Sequence, residues 1–464
     1  MRKRFLAMML ALVVAASVIG AHPAKEAQAE EFTWPTGPDI TADGAIVIEA
    51  STGSILYEKN IYEQFFPAST TKILTTLVAL ENSSLDEIVT VSYAAENYVS
   101  KSSSRMGLVE GEQITMEQAL YGIMLESANE ATYAVGEHVG GSIARFIKMM
   151  NAKAQSLGCT RSHFANSHGL HDEDHYTCCY DLSLIARAAY QNEDFMRITG
   201  AKMYAMPETN KNQAKSLINH HWFLNGTMRY DYCIGGKTGS TSQAGYALVT
   251  YAKKDGMTII SVVMHDIDWS HVYNDTKTLL EYAFDSFKTY RMSDLGDQEA
   301  SFPSVFDGEI GEFTEGRESI LYNGGGGGLV ILPDSVLPEE TIKSVELYDS
   351  AEIGHGENPI GSVTYTYGDK IVGKTDVIYF NSANTMNDSL FAKSWPAFMI
   401  PVEVAFEGVD MSKLTLAKQN SREVPTLDQV IDFDSLTPVA IGIGMGCFVL
   451  LIGVVVLLIM RRRR

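Results

Sequence analysis

The sequence of 464 residues predicts an α+β protein, with helices on an antiparallel sheet, followed by a small all-β domain and a C-terminal transmembrane helix. Three observations indicate this class. Helical periodicity dominates residues 39–290, two β-rich runs near the end of that segment form a hairpin, and the helical pattern fades after Leu295. An uncharged apolar stretch near the C-terminus supplies the predicted span.

Five segments of the first domain have the apolar spacing of helices. Thr115 and Gln118 form a predicted capping box at the start of one of them, since each side chain can satisfy a backbone N–H of the other residue. The predicted helices are residues 73–80, 116–125, 130–139, 144–157 and 182–190.

The apolar, β-rich runs 246–252 and 257–264 are predicted strands. The tetrapeptide Lys253-Lys254-Asp255-Gly256 joins them and has the composition of a hairpin turn. After residue 295, the predicted strands are short and are separated by turns rich in Gly, Asp, Asn and Pro: 329–332, 344–347, 361–367 and 376–380.

The five-glycine stretch 324–328 resembles a phosphate-binding loop only superficially. No GK[ST] follows it and no helix is predicted after it, so we expect a hairpin loop. The sequence predicts no cofactor.

Both ends of the chain indicate export and anchoring. A basic start, an apolar run and an Ala27-Gln28-Ala29 triplet are typical of a cleavable signal, although a permanent anchor is the alternative. Arg461–Arg464 follow the apolar stretch, and positive charge marks the cytoplasmic side of a span. We therefore predict a single-pass cell-membrane protein whose first domain is extracytoplasmic. The predicted divisions are a signal peptide (1–29), a first domain (39–292), a β-rich domain (296–410), a stalk (411–438), a transmembrane helix (439–460) and a basic tail (461–464).

Charge and cysteine content exclude some functions. The formal net charge is −21, and removal of residues 1–29 would make it more negative, which argues against nucleic acid as a partner. The five cysteines are too sparse for a disulfide framework, and the adjacent Cys178 and Cys179 cannot readily bridge each other, so we expect free or buried thiols.

The first motif that carries chemistry is Ser69-Thr70-Thr71-Lys72, at the start of a predicted helix. Residues three apart share a helix face, so the Ser69 hydroxyl and the Lys72 amine can meet. A serine needs a base to become a nucleophile, and a lysine serves as one only when burial or a nearby cation lowers its pKa. Alone, S-x-x-K is most often an ordinary helix cap.

Two further motifs follow in order. Ser127-Ala128-Asn129 lies on a predicted turn between helices, where it could relay a proton and hold a substrate amide, although such a triplet is most often a cap. Lys237-Thr238-Gly239-Ser240 lies on a predicted strand. There Lys237 can lower the pKa of Lys72 and attract a carboxylate, Thr238 can bind that carboxylate, and Gly239 lets substrate backbone pair with the strand edge.

Together, S-x-x-K, S-x-N and K-T-G on a helix, a turn and a strand resemble the low-molecular-mass penicillin-binding proteins that act as serine-type D-Ala-D-Ala carboxypeptidases. The resemblance covers residues 40–290 and includes Asn166-Ser167-His168-Gly169-Leu170 and Ala244-Gly245-Tyr246. It implies a serine transpeptidase/β-lactamase-like domain that trims peptidoglycan stem peptides and is acylated by β-lactam antibiotics.

The resemblance also implies roles for the motif residues. Ser69 would be the acylated nucleophile and Lys72 its base, while Ser127 and Asn129 would shuttle protons and bind substrate. Lys237 and Thr238, beside Gly239, would bind the terminal carboxylate, and the N–H groups of Ser69 and Ser240 would form the oxyanion hole.

The chain departs from the family pattern at two positions. Val272, flanked by His271 and Tyr273, stands where relatives often carry an arginine that helps hold the substrate carboxylate. Ala128 stands where glycine is usual. We expect these departures to affect substrate affinity rather than the type of reaction.

Other functions remain possible from the sequence. A class A β-lactamase would need a glutamate that activates the deacylating water, and the only match, Glu208 with Asn212, lies too close to Lys237. A D,D-endopeptidase or transpeptidase would use the same chemistry, and a non-catalytic peptidoglycan-binding module is a further alternative. A histidine-rich segment, residues 163–175, has no metal-site spacing, and we expect no bound metal.

Overall fold

A computed structural model describes residues 32–292, 320–322, 328–347 and 356–381. The predicted signal peptide, stalk, transmembrane helix and basic tail lie outside these residues, as does most of the glycine stretch. Within the described residues, no helix is long and apolar enough to cross a membrane.

A five-stranded antiparallel sheet forms the centre of the first domain, with the strand order β2-β1-β9-β8-β7. Strand β7 is therefore an edge strand. The strands of this sheet are β1 (Gly44–Glu49), β2 (Ile55–Lys59), β7 (Cys233–Thr241), β8 (Gly245–Lys254) and β9 (Met257–Asp266), and the short strands that pair outside it are β3 (Ile88–Thr90) with β4 (Gln113–Thr115) and β5 (Met203–Met206) with β6 (Lys215–Ile218).

Helices cover both faces of this sheet. A 3-10 turn, Ala68–Thr71, leads directly into the first helix. The helices are α1 (Lys72–Asn82), α2 (Tyr93–Asn97), α3 (Met116–Leu125), α4 (Asn129–Gly140), α5 (Ile143–Ser156), α6 (Cys179–Tyr190), α7 (Glu193–Thr199), α8 (Trp222–Asn225) and α9 (Trp269–Ser286).

The alternation of strand residues divides the core into two layers. In β1, Ile46 and Ile48 face a large cluster that includes α1 and α3 to α7, whereas Ala45 and Val47 face a smaller cluster that includes α9. Successive strand side chains point to opposite faces, so a strand that is apolar at every position must be covered on both sides.

The predicted elements of this domain are confirmed to within a few residues. Helix α3 has the predicted bounds, and its capping box is present: Gln118 N–H donates to Thr115 Oγ1 (3.2 Å) and Thr115 N–H donates to Gln118 Oε1 (2.8 Å). Strands β8 and β9 pair up to Lys254 and Met257, and Asp255 and Gly256 both have positive φ, as a two-residue hairpin turn requires.

The four strands predicted after residue 295 also lie within observed strands. These later strands are β10 (Phe287–Arg291), β11 (Ile320–Tyr322), β12 (Leu329–Pro333), β13 (Ile342–Leu347), β14 (Gly356–Tyr367) and β15 (Lys370–Asn381). One four-stranded sheet has the order β11-β15-β14-β13, and β10 pairs with β12 in a separate sheet.

The chain divides into two compact units. Of the described residues, the first unit holds 32–292, 322, 328–344 and 363–375, and the second holds 320–321, 345–347, 356–362 and 376–381. The pairing of β12 with β10 is the physical reason that part of the later sequence belongs to the first unit.

We expect Thr115→Ala to lower the free energy of unfolding by about 1 kcal/mol, because it removes the side-chain acceptor of the α3 capping box. Thr115→Ser keeps that acceptor and is the control. Urea denaturation of both variants and the wild type measures the difference; equal midpoints would show that the box does not stabilise the domain.

Candidate active site

The start of α1 brings the first two candidate residues together. Ser69 lies in the 3-10 turn and Lys72 is the first residue of α1, and Lys72 Nζ lies 2.9 Å from Ser69 Oγ. The predicted contact is therefore present. Lys72 is fully buried, whereas Ser69 is half-buried and reaches the cleft described below.

Three oxygen atoms surround the Lys72 amine. Besides Ser69 Oγ, Nζ donates to Asn129 Oδ1 (2.6 Å) and to the backbone oxygen of His168 (2.6 Å). A neutral amine has two hydrogens and one lone pair. The Asn129 and His168 oxygens can only accept, so they bind the two hydrogens and leave the lone pair directed at the Ser69 hydroxyl.

The electrostatic surroundings favour this neutral form. Burial, and then the positive charge of Lys237, lower the pKa of Lys72 well below its usual value, while Glu130 acts in the opposite direction. Burial lowers the pKa of Lys237 to about 7. The positive charge of Lys237 lowers the pKa of Lys72, as the sequence predicted, but burial of Lys72 lowers it more.

The second motif lies on the turn between α3 and α4. Ser127 adopts a positive φ of 56°, a conformation that costs free energy in a residue other than glycine. Its hydroxyl oxygen is buried without a protein hydrogen-bond partner and lines the cleft. A hydroxyl in this state is available to a bound substrate.

The third motif lies on the edge strand β7. Lys237 is buried, and its Nζ donates to the backbone oxygen of Thr238 (3.1 Å). Gly239 lies directly against the nucleophile, because a Cβ added to it would be 3.0 Å from the backbone nitrogen of Ser69. Ser240 pairs with Tyr246 of β8, so the free edge of β7 faces the cleft.

The segment around Gly169 fixes the turn that carries Ser69. Gly169 has a φ of +87°, and a Cβ at this position would overlap the carbonyl oxygen of Ala68. Asn166 Oδ1 accepts from Gly169 N–H (2.7 Å), and Thr75 Oγ1 donates to the backbone oxygen of Ser167 (2.6 Å). These contacts hold the His168 carbonyl beside Lys72.

The histidines of residues 163–175 form protein hydrogen bonds, and no group of metal-ligating side chains occurs within the described ranges. His175 Nδ1 accepts from Ala165 N–H (3.0 Å), so Nε2 carries the proton that reaches Thr71 Oγ1 (2.8 Å). Burial is the main reason that the pKa of His175 falls to about 4 and that of His168 to about 3. Both rings are therefore neutral at pH 7.

A cleft of about 310 Å³ joins the three motifs. Half of its lining residues were predicted from the sequence and half were not. The residues that line it are Ser69, Ser127, Thr238, Gly239 and Ser240, which were predicted, and Ser104, His220, Trp222, Asn225 and Trp269, which were not. The missed residues lie in loops and at helix ends that have no recognisable spacing relative to the motifs.

The two departures from the family pattern lie outside the cleft. Val272 lies on α9 and is fully buried in the core. The residue of α9 that reaches the cleft is Trp269, one helical turn earlier. Ala128 is also fully buried. Glu208, the candidate β-lactamase glutamate, is exposed and is not among the residues that line the cleft.

The four cysteines of the described segments are free thiols, as predicted. Cys159, Cys178 and Cys179 are buried and Cys233 is partly buried. Burial raises the pKa of Cys159 to about 12, so this thiol is inert at neutral pH.

The α+β fold and the contact between Ser69 and the buried Lys72 are the features of an active-site serine enzyme. The comparisons with known proteins agree. Residues 30–267 match the profile of the family described as D-alanyl-D-alanine carboxypeptidase. The chain belongs to this family of serine peptidases.

Individual relatives resemble most of the first domain. D-alanyl-D-alanine carboxypeptidase DacF of Bacillus subtilis is 34% identical over 259 residues, which are 54% of this chain and 64% of that protein. A D-alanyl-D-alanine carboxypeptidase of a Streptomyces species is 32% identical over 282 residues, which are 59% of this chain and 94% of the other.

Solved structures extend the likeness to the fold. Penicillin binding protein 5 of Haemophilus influenzae has a TM-score of 0.57 and 27% identity, and the match covers 75% of this chain and 98% of that one. The Streptomyces K15 DD-transpeptidase has a TM-score of 0.51 and 32% identity, covering 54% and 100%.

We expect the stability of the wild type to rise with pH above about 7, because Lys237 is neutral in the folded state there and still protonated in the unfolded state. The contribution is at most about 1.4 kcal/mol per pH unit and ends near the ordinary lysine pKa. Lys237→Met has no lysine that titrates at this position. We therefore expect the gap between the two proteins, which is the free energy of unfolding of the wild type minus that of Lys237→Met, to increase steadily from pH 7 to 9.5.

Urea denaturation at each pH measures this gap. A gap that stays constant over this range would show that Lys237 keeps its proton in the folded protein.

Proposed function

We propose that this protein is a serine-type D-alanyl-D-alanine carboxypeptidase that removes the terminal D-alanine from peptidoglycan stem pentapeptides through an acyl-enzyme on Ser69. The observation that carries the proposal is the position of the Lys72 amine, 2.9 Å from Ser69 Oγ, with its two hydrogens directed to Asn129 and His168. Both named Bacillus and Streptomyces relatives are D-alanyl-D-alanine carboxypeptidases.

In the acylation step, neutral Lys72 takes the proton of Ser69 as Oγ attacks the carbonyl carbon between the two D-alanines. The carbonyl oxygen becomes an oxyanion, which the backbone N–H groups of Ser69 and Ser240 stabilise. The close approach of Gly239 to the Ser69 nitrogen supports this arrangement, since it brings β7 against the turn that carries Ser69.

The proton then moves to the leaving amine, the C–N bond breaks and D-alanine departs. Ser127 is suited to pass this proton, because its buried hydroxyl has no protein partner and lines the cleft. In the second step, water attacks the ester carbon, Lys72 accepts a proton from the water, and Ser69 is regenerated as the ester C–O bond breaks.

Substrate binds along the free edge of β7. An extended peptide can add to an unpaired strand edge through main-chain hydrogen bonds. Thr238 and Ser240 hydroxyls bind the terminal carboxylate in the cleft, and the buried charge of Lys237 beneath them attracts it. β-Lactam antibiotics enter the same site and acylate Ser69, as the name of the Haemophilus penicillin binding protein implies for that protein.

We expect a purified sample exposed to a penicillin to gain the mass of one antibiotic molecule at Ser69. Ser69→Ala should lose this adduct and should release D-alanine at least about 10³-fold more slowly, because no other group replaces the nucleophile. Intact-protein and peptide mass spectrometry measure the adduct. The matched control is Ser102→Ala, at an exposed serine outside the cleft, which should leave both readings unchanged.

Lys72→Met tests the role of the base separately from that of the nucleophile. It keeps the nucleophile but removes the base, so we expect very slow formation of the same adduct. An adduct at a serine other than Ser69, or none on folded wild-type protein, would refute the assignment and favour a non-catalytic peptidoglycan-binding module.

We infer that the catalytic domain acts at the outer face of the cell membrane. The sequence supports this with a leader at residues 1–29, a β-rich domain at 296–410, a stalk at 411–438, a single span at 439–460 and a basic tail at 461–464. The strands observed after residue 295 support the β-rich domain. Peptidoglycan stem peptides lie on that side of the membrane.

Protease added to intact protoplasts should therefore digest the catalytic domain and leave the membrane-embedded C-terminal fragment. A tag placed after Arg464 should resist the same treatment, because the basic tail faces the cytoplasm. Western blotting of membrane and soluble fractions reads both results. Protection of the catalytic domain, or its recovery in the soluble fraction, would contradict the topology.

A further inference from the structure

A buried carboxylate lies at the start of α4, next to the catalytic base. Glu130 directly follows Asn129, whose Oδ1 accepts a hydrogen bond from the Lys72 amine (2.6 Å). Glu130 and Lys72 are both fully buried. The reaction described above gives Glu130 no role, although a charged group inside a protein is costly unless its surroundings stabilise it.

One oxygen atom of this carboxylate is bound by a turn of the backbone. Oε1 of Glu130 accepts hydrogen bonds from three successive N–H groups, those of Met106 (2.9 Å), Gly107 (2.9 Å) and Leu108 (3.3 Å). Gly107 has a φ of +82°, a backbone conformation that glycine adopts at little cost. Successive N–H groups that converge in this way bind an anion, so the turn stabilises the negative charge of Glu130.

The other oxygen atom, Oε2, is buried without a protein hydrogen-bond partner. Arg105 lies beside Glu130 but does not pair closely with it, since its Nε is 3.9 Å from Oε1. The terminal nitrogens of Arg105 donate to the backbone oxygens of Val99 (3.1 Å) and Glu96 (2.9 Å). The guanidinium therefore compensates only part of the charge of Glu130.

The same turn leads to the catalytic cleft. Ser104 lines the cleft, and its backbone oxygen accepts from the N–H of Asn129 (2.9 Å). A further cation, Lys215, donates from Nζ to the backbone oxygen of Met106 (2.5 Å). The start of α4 thus holds this segment at two points, through a backbone N–H and through the Glu130 carboxylate.

The charges around the Lys72 amine act in opposite directions. Burial and the positive charge of Lys237 lower the pKa of Lys72, whereas the negative charge of Glu130 raises it. Two histidines also lie near this amine, but both are neutral at pH 7, because burial lowers the pKa of His168 to about 3 and that of His175 to about 4. Glu130 therefore opposes the two effects that lower the pKa of Lys72.

A lysine that acts as a base needs such a balance. It must be neutral to accept a proton, but a base whose pKa falls too far accepts the proton poorly. Electrostatic interactions are strong and weakly screened in the interior of a protein. One buried carboxylate beside the amine can therefore set this balance.

We propose that Glu130 is a positioning residue for the catalytic base: its carboxylate fixes the turn 106–108 against the start of α4 and supplies the negative charge that keeps Lys72 basic enough to take the Ser69 proton. The inference rests on the proposed function, because that function assigns Lys72 as the base. Glu130 itself does not touch the substrate. It acts through the lysine and through the position of the turn.

The test measures the rate constant of penicillin adduct formation as a function of pH in the purified full-length protein. In the wild type, this rate constant should rise with pH as Lys72 loses its proton. It should fall at higher pH as Lys237, whose pKa is about 7, loses its own proton. The rising limb of this profile therefore reports the proton affinity of the base.

Glu130→Gln removes the charge but keeps an oxygen that accepts from the turn. We expect its rising limb to move to lower pH by at least about one unit, because the charged form of Lys72 loses a stabilising carboxylate. The maximum rate constant should fall about three-fold, because the base is weaker. The two profiles should cross, with the variant faster at acid pH and slower at the optimum, whereas a purely structural defect would slow adduct formation at every pH.

Glu112→Gln is the matched control. Glu112 is also a fully buried carboxylate of this loop, and it accepts from the N–H of Val109 (3.1 Å). The carboxylate that raises the pKa of Lys72 is that of Glu130, so Glu112→Gln should lower stability and leave the rising limb in place. The inference would be overturned by equal shifts in both variants, or by a Glu130→Gln limb that does not move.

A measurement on the wild type alone decides the question if Glu130→Gln does not fold. The formal net charge is −21, so exposed acidic side chains are the alternative source of negative potential at Lys72. Salt screens exposed charges and hardly affects buried ones, so the rising limb should keep its position between about 0.05 and about 1 M sodium chloride. A shift to lower pH in high salt would overturn the role of Glu130.

The outcomes also distinguish this inference from the proposed function. Wild-type protein that forms the adduct on Ser69, with a rising limb that Glu130→Gln leaves in place, would retain the serine enzyme and lose the role of Glu130. Wild-type protein that forms no adduct at any pH would overturn both.

Discussion

Burial of the Lys72 amine is the constraint on which the rest of the site depends. A lysine removed from water is costly when charged, so the folded protein lowers its pKa and surrounds it with acceptors. The oxygen atoms around this amine come from three parts of the sequence: Ser69 on the preceding turn, Asn129 at the start of α4 and the backbone of His168. The domain must therefore bring these elements together around one nitrogen atom. Each of them is in turn fixed by its own packing.

The site also requires close contact between backbone segments. Gly239 on β7 and Gly169 after α5 both contact the turn that carries Ser69, and a side chain at either position would displace it. Ala68 and Ser127 adopt positive φ on either side of the cleft. Strained residues persist only where surrounding contacts enforce them, and here those contacts are the ones that position the nucleophile and the cleft hydroxyl. The backbone strain lowers the stability of these segments, but it holds the reacting groups in position before a substrate binds.

The distribution of charge supports the proposed roles of the two lysines, one as a base and the other in substrate binding. Lys237 lies beneath the cleft floor, and its pKa, lowered to about 7 by burial, keeps it partly protonated near neutral pH. That charge disfavours a second one on Lys72, whose amine is also fully buried. His221, whose pKa is lowered to about 3 by burial and by Lys237, adds no further charge. The site thus has one available cation next to one neutral base.

The sequence by itself determined the order of elements, the α+β class and the three motifs, because periodicity, capping residues and short spacings are local properties. Ser69 and Lys72 lie three residues apart, so their contact follows from helix geometry. Only the tertiary structure decided the remainder. Trp222, Trp269 and His220 reach the cleft because loops and helix starts converge there, and Val272 is buried because of the rotation of α9 on the sheet. Such positions depend on packing between segments distant in sequence, and no local pattern of residues specifies that packing.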